Sequence, residues 1–179
     1  MALDHIAAAL ERVAAVMRKR PELGLHDDSP ARVRWEGGMR VSARHDNGLR
    51  VETDMPRELG GSGEGVTPGW LLRAGTASCA VTCIVMNAAT QGVELQALDA
   101  WVSSRSDTRG LLGLAGDNGQ AVDAAPVEMT LHIRIAAAGL TQAQTRGLVE
   151  QSCLRSPVPA ALRQPVPLQL DIEVTGSAA

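Results

Sequence analysis

The segment from Gly69 to Gln91 is apolar nearly all round its helical projection, and no other feature constrains the fold as tightly. Thr67 is a suitable N-cap, Pro68 suits the first helical position, and Gly92 suits a C-terminal stop. At 1.5 Å per residue this helix would be about 34 Å long. A helix without a polar face needs burial on most sides, so the remaining elements must enclose it. The chain has no Phe and no Tyr, only Trp35, Trp70 and Trp101. Its core must therefore be built from Val, Leu, Ile, Met and Ala, which favours close helix packing.

With 179 residues the chain is long enough for one domain with a small appendage. Leu3, Ile6, Leu10, Val13 and Met17 recur at helical steps and predict a helix over 3–19, ended by Pro21 and Gly24. The polar connector His26 to Pro30 makes residues 1–30 an N-terminal helical extension, with the main domain over 31–176. Within 32–54, Val33 and Trp35, then Met39, Val41 and Ala43, then Leu49, Val51 and Thr53 alternate with polar neighbours. Gly37-Gly38 and Asp46-Asn47-Gly48 supply the turns, so this stretch reads as an antiparallel meander with one wet face. Residues 93–104 and 127–135 read as further strands, with a polar, Gly-rich loop over 105–126 between them. Thr141 and Gln144 fit a capping box for a second helix reaching about Arg155, where Ser156-Pro157-Val158-Pro159 stops it. Val166, Leu168, Leu170, Ile172 and Val174 alternate and predict a last strand over 166–174. Strands clustered around two helices indicate an α+β fold.

Several function classes are disfavoured at this level. The formal net charge is -3, which suits neither a nucleic-acid surface nor a polybasic membrane contact. The scarcity of aromatics removes a stacking platform for single strands. No apolar run reaches the roughly 20 residues of a membrane span, and Met1 to Leu10 lack the pattern of a secretory signal. Three cysteines in such a chain read as reduced thiols of a cytoplasmic protein. His5, His26, His45 and His132 form no pair at metal-ligand spacing, so no metal is expected. The loop with Gly61, Gly63 and Gly65 lacks the Lys-Ser/Thr of a phosphate-binding loop and reads as a connector, and no cofactor is expected. Cys79 and Cys83 lie one turn apart on the apolar helix. They are either buried small hydrophobes or contain a reactive thiolate set beside an arginine.

Four stretches resemble the OsmC/Ohr family of hydroperoxide-resistance proteins. Pro56-Arg57-Glu58-Leu59-Gly60-Gly61 is similar to the loop before that family's central helix. Thr67-Pro68, Leu71-Leu72 and Ala77-Ser78-Cys79 resemble the segment that delivers its peroxidatic cysteine. Arg109-Gly110-Leu111-Leu112-Gly113 resembles a stretch after the next strand, and Ser156-Pro157-Val158 with Ala161-Leu162 the end of the second helix. The resemblance spans about residues 32–174. It implies two central helices enclosed by antiparallel sheets in an intertwined homodimer, here with an extra N-terminal helix. It also implies a thiol peroxidase. A cysteine thiolate attacks the peroxide and becomes a sulfenic acid, a second cysteine closes a disulfide, and an external dithiol resets the enzyme.

By that resemblance Cys79 takes the peroxidatic position, and Arg40 is the nearest match to the arginine that keeps the thiolate ionised. Trp70 and Cys83, flanking Cys79 on the helix, become the candidate substrate-contacting residues. The acidic residue expected after Pro68 is replaced by Gly69 and Trp70, with Glu64 the nearest upstream carboxylate. Ser156 stands where the resolving cysteine is expected, and Cys153 three residues earlier is a displaced candidate for that role or a buried structural thiol. Two readings follow: a hydroperoxide reductase using Cys79, or a non-catalytic relative holding a small apolar molecule in the dimer cleft. The N-terminal helix either covers its own domain or meets a partner.

Overall fold

The computed structural model of the chain describes residues 3–164 and 166–176. Helix α1 (Asp4–Lys19) leads through a 3-10 turn to an antiparallel sheet of β1 (Arg32–Gly37), β2 (Arg40–Arg44) and β3 (Arg50–Thr53). The long helix α2 (Pro68–Thr90) follows, then β4 (Leu95–Arg105), a one-turn helix α3 (Thr108–Leu111) and β5 (Glu128–Ala137). Two helices close the order, α4 (Gln142–Leu154) and α5 (Pro157–Arg163). β4 and β5 pair antiparallel along nearly their whole length. α2 packs on β4 and is flanked by α1, α4 and α5. This is the expected α+β arrangement around a central helix.

Local chemistry explains where α2 and α4 begin and end. The Thr67 hydroxyl accepts from the Trp70 N–H, and Pro68 occupies a position whose missing donor costs nothing. At the other end Gly92 takes a positive φ of 64°, its N–H reaching Ala89 C=O while Val93 N–H reaches Ala88 C=O. This six-to-one, five-to-two pair satisfies orphan carbonyls and turns Val93 back into a core cluster with Ala88 and Leu148. The capping box at α4 is present, with Thr141 and Gln144 exchanging side-chain and backbone hydrogen bonds.

The loop between β3 and α2 is held by a carboxylate. Asp54 is almost inaccessible; its Oδ1 accepts from Met55 N–H at 2.8 Å and its Oδ2 from Ser62 N–H at 2.9 Å. The Ser62 hydroxyl donates to the same oxygen. These hydrogen bonds, led by the Ser62 hydroxyl, hold the carboxyl below its ordinary range, with the Arg40 guanidinium adding to the effect. The loop closes so tightly that a Cβ on Gly61 would lie 1.8 Å from the Met55 carbonyl oxygen. The glycine-rich segment is thus a compact clasp rather than a slack connector.

Four expectations need correction. Residues 157–163 are helical, not merely a stop: Pro157 sits at the first position of α5, where its missing N–H is harmless. Residues 166–174 form no strand; they run unpaired, with Leu168 96% and Leu170 85% exposed. α2 buries only the stripe Thr76, Ala80, Ile84, Ala88 with Ala89, while Trp70, Leu72 and Met86 stay exposed. By length and composition that helix is long and apolar enough to cross a membrane. Here it instead carries β4, α1, α4 and α5 on its sides.

The meander also differs from its expected half-buried state. Register places Trp35 against Val41 and Val33 against Ala43, so one face of β1–β3 is apolar. Its outer part is uncovered, with Trp35 70% and Val33 63% exposed, while Val41 and Ala43 are part-buried. β1–β3 pack chiefly on one another. The accessible surface is 13661 Å². A compact monomer of 18.8 kDa would expose about 8,300 Å². A single chain therefore leaves bare an apolar sheet face, an apolar helix face and an alternating C-terminal segment.

Two substitutions test the clasp. Gly61→Ala should lower unfolding free energy by about 1–3 kcal/mol in a denaturant titration, since the Met55 carbonyl must move. Asp54→Asn turns one of the two accepting oxygens into an NH2 donor, so at least one of the three donors loses its acceptor, and the variant should be destabilised at neutral pH. The Asp54 pKa is depressed in the folded state, so its contribution is present above the ordinary carboxylate value and lost as pH falls through the folded value. The stability gap between wild type and Asp54→Asn should accordingly hold above the ordinary carboxylate range and narrow as pH falls below it. A gap independent of pH would show that the charge is not involved.

Candidate functional site around Cys79

Three pairs of contacts fix how α2 meets the C-terminal helices. Ala88 shares a cluster with Leu148. Asn87 Nδ2 donates to Ser152 Oγ at 3.0 Å and to Leu148 C=O at 3.4 Å, and Ser152 Oγ donates to Leu148 C=O at 2.6 Å. Two turns earlier on α2, the Ser156 hydroxyl donates to Cys79 Sγ at 3.1 Å. Moving back along α2 means moving forward along α4, so the two helices run antiparallel. Their buried polar groups are paired, as a dry seam requires.

Cys79 is half-buried, and Ser156 is fully buried. Among the described residues, Ser156 is the hydrogen-bond partner of the Cys79 thiol. Ser156 stands at the N-cap of α5 yet makes no side-chain cap. The sequence explains this. Pro157 and Pro159 remove two of the three backbone donors in the first turn, so the hydroxyl is released toward α2. The Ser156 hydroxyl thus brings one hydrogen-bond donor, and no charge, to the Cys79 sulfur.

The other residues singled out in the sequence lie elsewhere in the chain. Arg40 is on β2, close enough to Asp54 to draw that carboxyl down, and it makes no hydrogen bond to Cys79. Trp70 lies nine residues before Cys79, half a helical revolution away, in a groove of about 440 Å³ with Arg73, Ala77, Val81 and Val102. Arg73 donates to Ser104 Oγ at 3.2 Å. Cys83 lines a cavity of about 360 Å³ between α1 and α2, with Leu10, Ala14 and Met86. Cys153 lines a third cavity of about 490 Å³ with Thr76, Met129, Pro159 and Leu162. Burial pushes the Cys153 thiol up; the Arg163 guanidinium opposes this and Cys83 adds to it. Glu64 is exposed, its N–H donating to Ser62 Oγ.

Other polar constellations were not legible as sites in the sequence. Asp107 grips Arg109 through its side chain and caps α3, and Arg109 also reaches Asp117 at 3.3 Å. That network organises the 105–126 loop. On the outer face of β4–β5, His132 stacks on Trp101 with centroids 4.8 Å apart, and Ser103 Oγ meets His132 Nε2 at 3.0 Å. Arg134 lies over the same tryptophan. Strand register could have suggested this cluster, since Trp101 opposes His132.

Comparison with known proteins adds what the geometry alone lacks. A sequence profile of the OsmC-like protein family matches residues 61–171. None of the curated proteins compared with the chain matches it significantly. Among solved structures, an OsmC-like protein from Mycoplasma pneumoniae superposes with a TM-score of 0.64 at 15% identity, covering 79% of this chain and 91% of that one. An organic hydroperoxide resistance protein from Elizabethkingia anophelis gives 0.58 at 20% identity, covering 79% and 93%. An organic hydroperoxide resistance protein OsmC from Legionella pneumophila gives 0.52 at 24% identity, covering 78% and 93%. Identities this low speak for shared fold. The profile match, spanning well over half the chain and including the central helix with Cys79, carries the conclusion that this chain belongs to the OsmC-like protein family.

Proposed function

We propose that the protein is a cytoplasmic, thiol-dependent hydroperoxide reductase of oxidative-stress defence, with Cys79 as the peroxidatic nucleophile. The observation that carries this reading is the Ser156 hydroxyl directed at the Cys79 sulfur inside a buried seam. The thiolate attacks the terminal peroxide oxygen, the O–O bond breaks, and an alcohol leaves after taking up a proton. Cys79 becomes a sulfenic acid, and an external dithiol returns it to the thiol. Family membership and the names of the solved relatives support hydroperoxides as the substrate class. In this reading Cys153, Cys83 and Trp70 are secondary, since each lines a cavity of its own that includes neither Cys79 nor Ser156.

The working unit in this proposal is a homodimer. An apolar sheet face, an apolar flank of α2 and the alternating segment 166–174 are bare in one chain, and a second copy would cover them. The excess surface, about 5,400 Å² per chain beyond a compact monomer, is more than one partner's share of a large obligate interface requires. The cation that a thiolate needs is then assigned to the partner, with Arg40 as the candidate, because among the described residues of one chain it makes no hydrogen bond to Cys79. The competing reading is a non-catalytic dimer binding a small apolar molecule. It is favoured by one observation: among the described residues of one chain, no cation hydrogen-bonds Cys79.

Peroxide consumption coupled to dithiol oxidation separates the two. The wild type should turn over an organic hydroperoxide, Cys79→Ser should fall to the uncatalysed background, and Cys83→Ser should stay near wild type. Equal activity in Cys79→Ser would remove the peroxidase reading. For the assembly, light scattering after size exclusion should give twice the chain mass. Removing residues 166–176 should shift it toward monomer or aggregate. A stable, soluble monomer of the full chain would overturn the dimer.

A further inference from the structure

We propose that Ser156 is a catalytic residue of the Cys79 site, and that the cycle closes through a mixed disulfide with an external thiol instead of a disulfide within the chain. The proposal rests on the peroxidase reading above and specifies how its second half proceeds. Ser156 Oγ is the polar atom at the Cys79 sulfur, at 3.1 Å, and it is wholly shielded from water. A hydroxyl there donates to the thiolate before reaction and can donate to the sulfenic acid oxygen or sulfur afterwards. It cannot form a sulfur–sulfur bond. The position closest to the reactive sulfur therefore stabilises the oxidised centre without resolving it.

The chain's own thiols are poorly placed to take over. Cys83 shares the helix with Cys79 one turn on, where side chains do not converge without strain. It lines the cavity toward α1. Cys153 opens instead to the cavity bounded by Thr76, Met129, Pro159 and Leu162. Burial keeps its thiol protonated, which lowers the fraction able to attack. Cys79, by contrast, is partly exposed, so an incoming thiol can reach it.

The balance is complete with two named reactants. Cys79 thiolate, a hydroperoxide and a proton give Cys79 sulfenic acid and an alcohol. The sulfenic acid and one thiol of the external dithiol give a mixed disulfide and water. The second thiol of the same dithiol attacks its own bonded sulfur, releasing the Cys79 thiol and leaving the dithiol oxidised as a cyclic disulfide.

The test combines two readouts on the full chain. The first needs no peroxide: the pH profile of Cys79 alkylation by iodoacetamide, followed by peptide mass spectrometry. Ser156→Ala should raise the Cys79 titration midpoint by about one pH unit, the equivalent of a tenfold weaker thiolate. An unchanged midpoint would overturn the role of Ser156. The second adds one equivalent of cumene hydroperoxide to reduced protein, then either no thiol or a small dithiol. The wild type should show sulfenic acid at Cys79 without thiol, and Cys79 bonded to the added dithiol when turnover is quenched early. Ser156→Cys should instead form an internal disulfide to Cys79 without added thiol. A Cys79–Cys153 disulfide in the wild type would overturn external resolution. Absence of any Cys79 oxidation in all variants would reject the peroxidase reading itself, while the alkylation profile still decides whether Ser156 acts on the thiol.

Discussion

The antiparallel approach of α4 and α5 to α2 is the contact on which the site depends. Ala88 meets Leu148, Asn87 meets Ser152, and Cys79 meets Ser156. Small side chains make the seam narrow enough for a hydroxyl to reach a sulfur across it. Its polar groups are paired with one another, so the seam can be dry without an unsatisfied donor. The Schellman turn at Gly92 and the capping box at Thr141 fix the ends of the two helices, and thereby their register. A slip of one residue in that register would rotate Cys79 about 100° away from Ser156.

The same geometry leaves each chain incomplete. Four elements of its own chain pack along α2, yet Trp70, Leu72 and Met86 stay exposed. The β1–β3 sheet lies beside the body of the chain with its Trp35 and Val33 bare, and the C-terminal segment continues its strand-like alternation with no strand to join. These three exposed features share one cause: the hydrophobic pattern is written for neighbours that a single copy does not possess. The proposed dimer and the proposed arginine both follow from that shortage.

Much of this was legible in the sequence where the signal is local. The limits of α1, α2, β4, β5 and α4 follow from capping residues, glycine stops and periodicity, and they agree closely with the structure. The turns at Gly37-Gly38 and Asp46-Asn47-Gly48 were readable for the same reason, since backbone sterics act over a few residues. α5 was not, because Pro157 and Pro159 signal both the end of one helix and the start of another. The strand over 166–174 was read from alternation alone. Alternation states which side chains want burial, and it does not supply the partner that would make the strand.

The amino-acid order therefore determined α1, α2, α4, the hairpin turns and the family resemblance, because propensity, capping and motif are carried by adjacent residues. Tertiary structure alone decided which groups gather at Cys79. It brought Ser156 across 77 positions to the sulfur and committed Arg40 to the neighbourhood of Asp54. It placed Trp70, Cys83 and Cys153 in three separate cavities. These outcomes depend on helix rotation and chain crossing, and spacing along the chain does not encode an azimuth between elements packed from distant segments.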